Sequence, residues 1–108
     1  MPDMGYAKER GKLEKLSTKV IGLTNYDDKS LALITDIYEQ YSHTVRILKN
    51  KNPDIFSELY QKDLQQVKLV KSSLKTSEEG GRQDNFIKFR DAVSAALNSA
   101  IALTKESR

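Results

Sequence analysis

His43 is the one histidine in this chain. It stands in the stretch Tyr41-Ser42-His43-Thr44-Val45-Arg46-Ile47-Leu48-Lys49. Its ordinary pKa lies closest to neutrality of any side chain present, so general acid–base work or phosphoryl acceptance would fall to it first. With a single histidine and no cysteine, the chain cannot assemble a conventional zinc site of about four nitrogen or sulfur ligands. Disulfides and thiolate catalysis are excluded for the same reason. Carboxylates pair at Asp27-Asp28 and Glu78-Glu79, and stand singly at Asp36, Glu39, Glu58, Asp63 and Asp91. None forms the Glu-x-x-His repeat of a di-iron bundle. Gly80-Gly81 lacks the Gly-Lys-Ser/Thr sequel of a phosphate loop and reads as a linker. The expectation is a protein without metal, cofactor or catalytic residues.

A second set of charged residues is more regular. Lys8, Lys12, Lys15 and Lys19 recur at steps of three and four, which aligns them as one basic stripe on a helix. A nucleic acid or an acidic partner would be contacted there. Glu9 and Glu14 interrupt the charge, and across the whole chain 18 basic residues face 15 acidic ones for a net +3 and a pI near 9.1. Without a basic block, the plain reading of the stripe is a solvated helix face. The same stripe beside Leu13, Leu16 and Val20 is too narrow, and too poor in large aromatics, for a membrane-surface helix.

Four runs of apolar residues at helical spacing must position these groups. Leu13, Leu16, Val20 and Leu23 form the first. Ile34, Ile37 or Tyr38, Tyr41, Val45 and Leu48 form the second, and Phe56, Leu59 or Tyr60, Val67, Val70 and Leu74 the third. Phe86, Phe89 or Arg90, Val93, Ala96 or Leu97, Ala100 and Leu103 form the fourth. Each set falls on one helix face, predicting helices over about 6–23, 28–50, 53–76 and 84–105. Thr24 to Asp28 supplies cap residues for the second helix. Asn52-Pro53-Asp54 reads as cap, first-turn proline and first-turn acid, which makes the clearest boundary. Ser77 to Gln83 is predicted to be the longest connection, and Asp84 or Asn85 to cap the fourth helix. Gly11 and Gly22 weaken the first helix. Asp63 falls on the third stripe and enters the interior unless the stripe drifts through Leu64 and leaves it on the rim, the reading preferred on sequence.

Short connections favour antiparallel neighbours, so the predicted fold is all-α: a single domain over 1–108, folded as an antiparallel up-down-up-down four-helix bundle. The alternative is a three-helix core with a loosely attached N-terminal helix. The longest uncharged stretch, Ala92 to Thr104, falls short of the ~20 apolar residues of a membrane span. The opening Met-Pro-Asp-Met-Gly-Tyr lacks a signal-peptide layout, and a cytoplasmic location is expected.

The leading functional expectation, reached by elimination, is a non-enzymatic interaction module, an adaptor, assembly subunit or regulator that binds a protein partner. Tyr38 and Tyr41 are expected interface anchors if exposed, and Ala96 and Ala100 would let two copies of the fourth helix approach closely in a homodimer. The runner-up is a nucleic-acid-associated protein using Lys8, Lys12, Lys15 and Lys19. A third reading rests on His43. A helical histidine followed by basic residues resembles the histidine phosphotransfer domains, themselves helical bundles, and that resemblance implies phosphoryl transfer through His43. Thr44, Val45 and Arg46 stand where those domains usually carry a small residue and Leu-Lys-Gly.

Overall fold

The computed structural model describes residues 6–106, and they form four helices in sequence order. Helix α1 spans Ala7–Val20 and α2 spans Asp28–Lys51. Helix α3 runs from Pro53 to Thr76 in three continuous pieces: α-helical Pro53–Glu58, a π-helical turn Leu59–Asp63, and α-helical Leu64–Thr76. A short 3-10 turn, Glu79–Gly81, leads directly into α4, Arg82–Glu106. There is no strand among the described residues.

Side-chain contacts give the relative directions of the helices. Arg10 Nη1 donates to the Thr104 carbonyl at 3.2 Å, Ser17 Oγ to Asn98 Oδ1 at 3.3 Å, and Arg90 Nη1 to the Leu23 carbonyl at 3.1 Å. Advancing along α1 therefore retreats along α4. Between α2 and α3, Lys49 lies over the Tyr60 ring at 4.1 Å and Lys71 over the Tyr38 ring at 4.8 Å, again in opposite senses. These pairings fit the antiparallel order. Helix α4 packs most extensively on α1 and α3, and α2 bridges to both.

Leu13 and Val20 are fully buried and Leu16 is nearly so, which seats α1 in the core. It is no loosely attached element. Its helix stops at Val20 rather than at Leu23 because the chain tightens: Gly22 N donates to the Lys19 carbonyl and Leu23 N to the Val20 carbonyl. Leu23 remains buried from outside the helix. The connection from 21 to 27 is the longest in the fold, ahead of the Gly-Gly segment, whose residues are largely taken up by the 3-10 turn. Gly11 is interior to α1, and a Cβ there would meet nothing within 4 Å. Gly11→Ala should therefore raise stability by about 0.5–1 kcal/mol by removing backbone freedom from the unfolded chain. An unchanged or lowered midpoint in urea denaturation would contradict it.

Asp27 caps α2, its Oδ1 accepting from the Ser30 amide at 2.7 Å, and that hydrogen bond holds its carboxyl below the usual range. Between α2 and α3 the break rests on one residue, Asn52, whose backbone leaves the helical region. Both Ile55 N and Phe56 N donate to its carbonyl, while its side-chain Nδ2 donates to the Tyr6 hydroxyl at 3.2 Å instead of capping the helix. No described residue has positive φ, so α2 ends without a left-handed residue. Because the 3-10 turn runs straight into Arg82, α4 starts two residues earlier than predicted. Asp84 lies in its first turn, and neither Asp84 nor Asn85 is its cap.

The π turn resolves the ambiguity at Asp63. In an uninterrupted α-helix, Asp63 would return to within about 20° of Phe56, at the centre of the apolar stripe, while Leu64 would stand about 140° round from Leu59. A buried carboxylate there would need a partner. The i→i+5 hydrogen bond from Leu64 N to the Leu59 carbonyl widens the turn. Leu59 and Leu64 both become buried and Asp63 moves to a half-exposed position. Desolvation, and then the charge of Glu58, raise the Asp63 carboxyl above its ordinary value, with Lys62 opposing.

Candidate functional site

The apolar face of α1 forces its lysines to the sides. With Leu13, Leu16 and Val20 turned inward, Lys12, Lys15 and Lys19 emerge on the flank next to α2. The facing flank of α2 repeats at the same spacing and contributes Asp36, Glu39, Gln40 and His43. Together they line an open groove of about 460 Å³, floored by Leu16 and the buried Thr44. Thr44 Oγ1 donates to the Gln40 carbonyl at 2.9 Å, and Gln40 Nε2 donates to Asp36 Oδ2 at 2.6 Å. The α2 wall is thereby ordered, with one carboxylate partly satisfied.

All three groove lysines are exposed, and among the described residues none of them is in a salt bridge. Lys8 shares their face and is exposed, but it lies beyond the groove. At that end of the α1–α2 pair the cation–carboxylate contact is made by other residues: Lys51 Nζ donates to the buried Glu9 carboxylate at 3.1 Å. Glu9, which appeared on sequence to dilute the basic stripe, is a tether between α1 and the end of α2.

His43 is exposed and stands on a ridge of α2. One side faces the lysine groove, and the other borders a second depression of about 300 Å³ with Tyr38, Ser42, Arg46 and Lys68. Five cations thus border the two depressions that meet at the only imidazole, with Glu39 and Asp36 among them. Among the described residues, no hydrogen-bond partner orients the ring in the manner of a catalytic base. Among the described residues there is no group of three or more side chains suited to hold a metal ion.

The interface residues expected from sequence are placed otherwise. Tyr41 and Ala100 are fully buried, Ala96 is 5% exposed and Tyr38 is 8% exposed. Each is committed to the intramolecular core, Tyr38 and Tyr41 from α2, and Ala96 and Ala100 from α4, which is clasped between α1 and α3. A homodimer built on Ala96 and Ala100 would have to displace one of those helices. Tyr38 packs on Phe89 with ring centroids 6.2 Å apart, and burial raises its hydroxyl pKa. The Tyr41 hydroxyl has no hydrogen-bond partner among the described residues, and burial together with the Asp63 charge pushes it far above the ordinary phenol range. Tyr41→Phe removes that orphaned donor while keeping the ring, so it should be neutral or stabilising, by up to about 1–2 kcal/mol. A clear loss in thermal or urea denaturation would mean that the hydroxyl is satisfied.

The arrangement as a whole is that of a four-helix all-α protein with charged surface grooves and no assembled catalytic constellation among its described residues. No protein-family model matches the chain, and no curated protein or solved structure matches it at a significant level. No described helix is long and apolar enough to cross a membrane.

Proposed function

We propose that this protein is a non-enzymatic interaction module that docks an acidic segment of a protein partner in the α1–α2 groove, in a cytoplasmic setting. The observation that carries this reading is the convergence of Lys12, Lys15 and Lys19 on one open groove wall, with no ion pair to any of them among the described residues. Charge, rather than a greasy face, leads recognition. Among the described residues the large apolar side chains most exposed are Ile21, Leu33 and Leu69, which lie in the 21–27 connection, on α2 and on α3. Three such side chains are fewer than the broad apolar face that helix-face docking would need.

A nucleic acid shares the attraction to the lysines but fits the opposite wall less well. A phosphate backbone laid in the groove would meet Asp36 and Glu39, whereas a protein segment of mixed charge can place a cation against them. The phosphotransfer reading keeps one specific support, an exposed His43 bordered by cations that would favour a phosphoryl group. It predicts a phosphohistidine signal by ³¹P NMR after incubation with phosphoramidate, absent in His43→Gln.

The test of the leading reading compares tagged wild type with the K12E/K15E/K19E variant in co-purification from source cells at low and high salt. The expected result is a defined protein retained by the wild type and reduced at least tenfold by the variant. All three changes are on exposed positions, so the variant should keep its helical circular dichroism. Equal retention by both forms would remove the groove from the interface. Nucleic acid held only at low salt, and lost in the variant, would install the alternative instead.

A further inference from the structure

A separate cleft of about 340 Å³ opens between the start of α2, the end of α3 and the start of α4. Phe89, fully buried, and Leu74 form its floor, while Leu31 and Tyr26 wall it. The charges around it differ in kind from those of the α1–α2 groove. Lys71, Lys75 and Arg82 line it, and among the described residues no carboxylate does. Lys71 is positioned by the Tyr38 ring beneath its ammonium, and Lys75 and Arg82 are exposed and form no salt bridge among the described residues.

The cleft is also held in shape. Gln83, in the first turn of α4, accepts from Tyr26 N through Oε1 at 2.7 Å and donates through Nε2 to the Thr24 carbonyl at 3.0 Å. That double contact clamps the 21–27 connection onto α4, and the Tyr26 ring is braced edge-on against Phe86 at 6.0 Å. An apolar floor inside a cationic rim, on a preorganised frame and at the small end of the ~300–1,000 Å³ range of ligand sites, matches one kind of molecule. We propose that this cleft binds an amphiphilic carboxylate, a short to medium aliphatic chain whose tail lies on Phe89, Leu74 and Leu31 while its head is held by Lys71, Lys75 and Arg82. The three cations supply charge-assisted hydrogen bonds to the head. A neutral amphiphile would gain only the floor, and a small hydrophilic anion only the rim.

The experiment titrates ¹⁵N-labelled protein with sodium octanoate below its micellar concentration, alongside octanol, acetate and octyltrimethylammonium, following amide shifts. The expected result is saturable shifts centred on Leu31, Thr35, Leu74 and Phe89. Octanol and acetate should bind at least tenfold more weakly, and the cationic amphiphile should leave those amides unmoved. The K75E/R82E variant changes two exposed positions and should keep the spectrum dispersed while weakening octanoate at least tenfold. As a variant of the apolar side, Leu31→Asn should weaken octanoate without conferring any preference for acetate. Non-saturable shifts, shifts spread over the surface, equal affinity for octanol, or undiminished binding by K75E/R82E would each overturn the proposal.

Discussion

Phe56→Ala should lower the stability of this protein by about 3–5 kcal/mol, the usual cost of emptying a fully buried phenyl site. The ring is 0% exposed and lies where three elements meet just after the one-residue break at Asn52. Tyr6, immediately before α1, packs edge-on against it with centroids 5.0 Å apart and an interplanar angle of 74°, and accepts a hydrogen bond from Asn52. Truncation therefore opens a cavity under the residues that fix how α1 enters the bundle and how α2 turns into α3. Those neighbours are held by separate contacts, so the space cannot close by simple collapse. Since a domain of this size is stable by only about 5–15 kcal/mol, the variant should be marginal at room temperature. Phe56→Leu, which keeps most of the volume, should cost much less. Urea denaturation followed by circular dichroism at 222 nm measures both, and a loss under about 1 kcal/mol for alanine would show that the ring is not packed as described.

Leu64→Ala should cost about 2–5 kcal/mol, and that number tests the π turn. Leu64 is fully buried because the i→i+5 bond to Leu59 rotates it onto the stripe. Were α3 a straight α-helix, Leu64 would sit toward the edge of the face and Asp63 at its centre. Alanine at 64 would then cost well under 1 kcal/mol, and Asp63→Leu would be strongly stabilising. With the π turn in place, Asp63→Leu mainly adds a half-exposed apolar side chain and should change little. The pair of measurements distinguishes the two geometries whatever the absolute stability.

Periodicity alone made the four helices legible, because burying a 3.6-residue stripe leaves a chain of this composition few other ways to remove its apolar side chains from water. Pro53 and the flanking Asn52 and Asp54 marked a true helix start, since proline's missing N–H is harmless only there. The ends of α1 and the start of α4 were less legible. Whether Leu23 is helical, or Arg82 precedes a cap, depends on local hydrogen bonds that several similar residues can satisfy. The π turn has no sequence signature beyond the competition of Leu59, Tyr60, Asp63 and Leu64 for one face, and packing against α2 and α4 settled it.

The candidate sites divide along the same line. Helical spacing determined that Lys12, Lys15 and Lys19 share a flank of α1, because spacing on one helix is a local property. That Asp36, Glu39 and His43 would face them, and that Lys71, Lys75 and Arg82 would ring one apolar cleft, only the tertiary structure decided. Such neighbours come from different helices, and their meeting depends on rotation and register between packed elements. Tyr38, Tyr41, Ala96 and Ala100 make the same point from the opposite side: an aromatic or a small residue on an apolar stripe fits an interface or a core equally well in sequence. Here the order in which the helices neighbour one another assigned all four to the core.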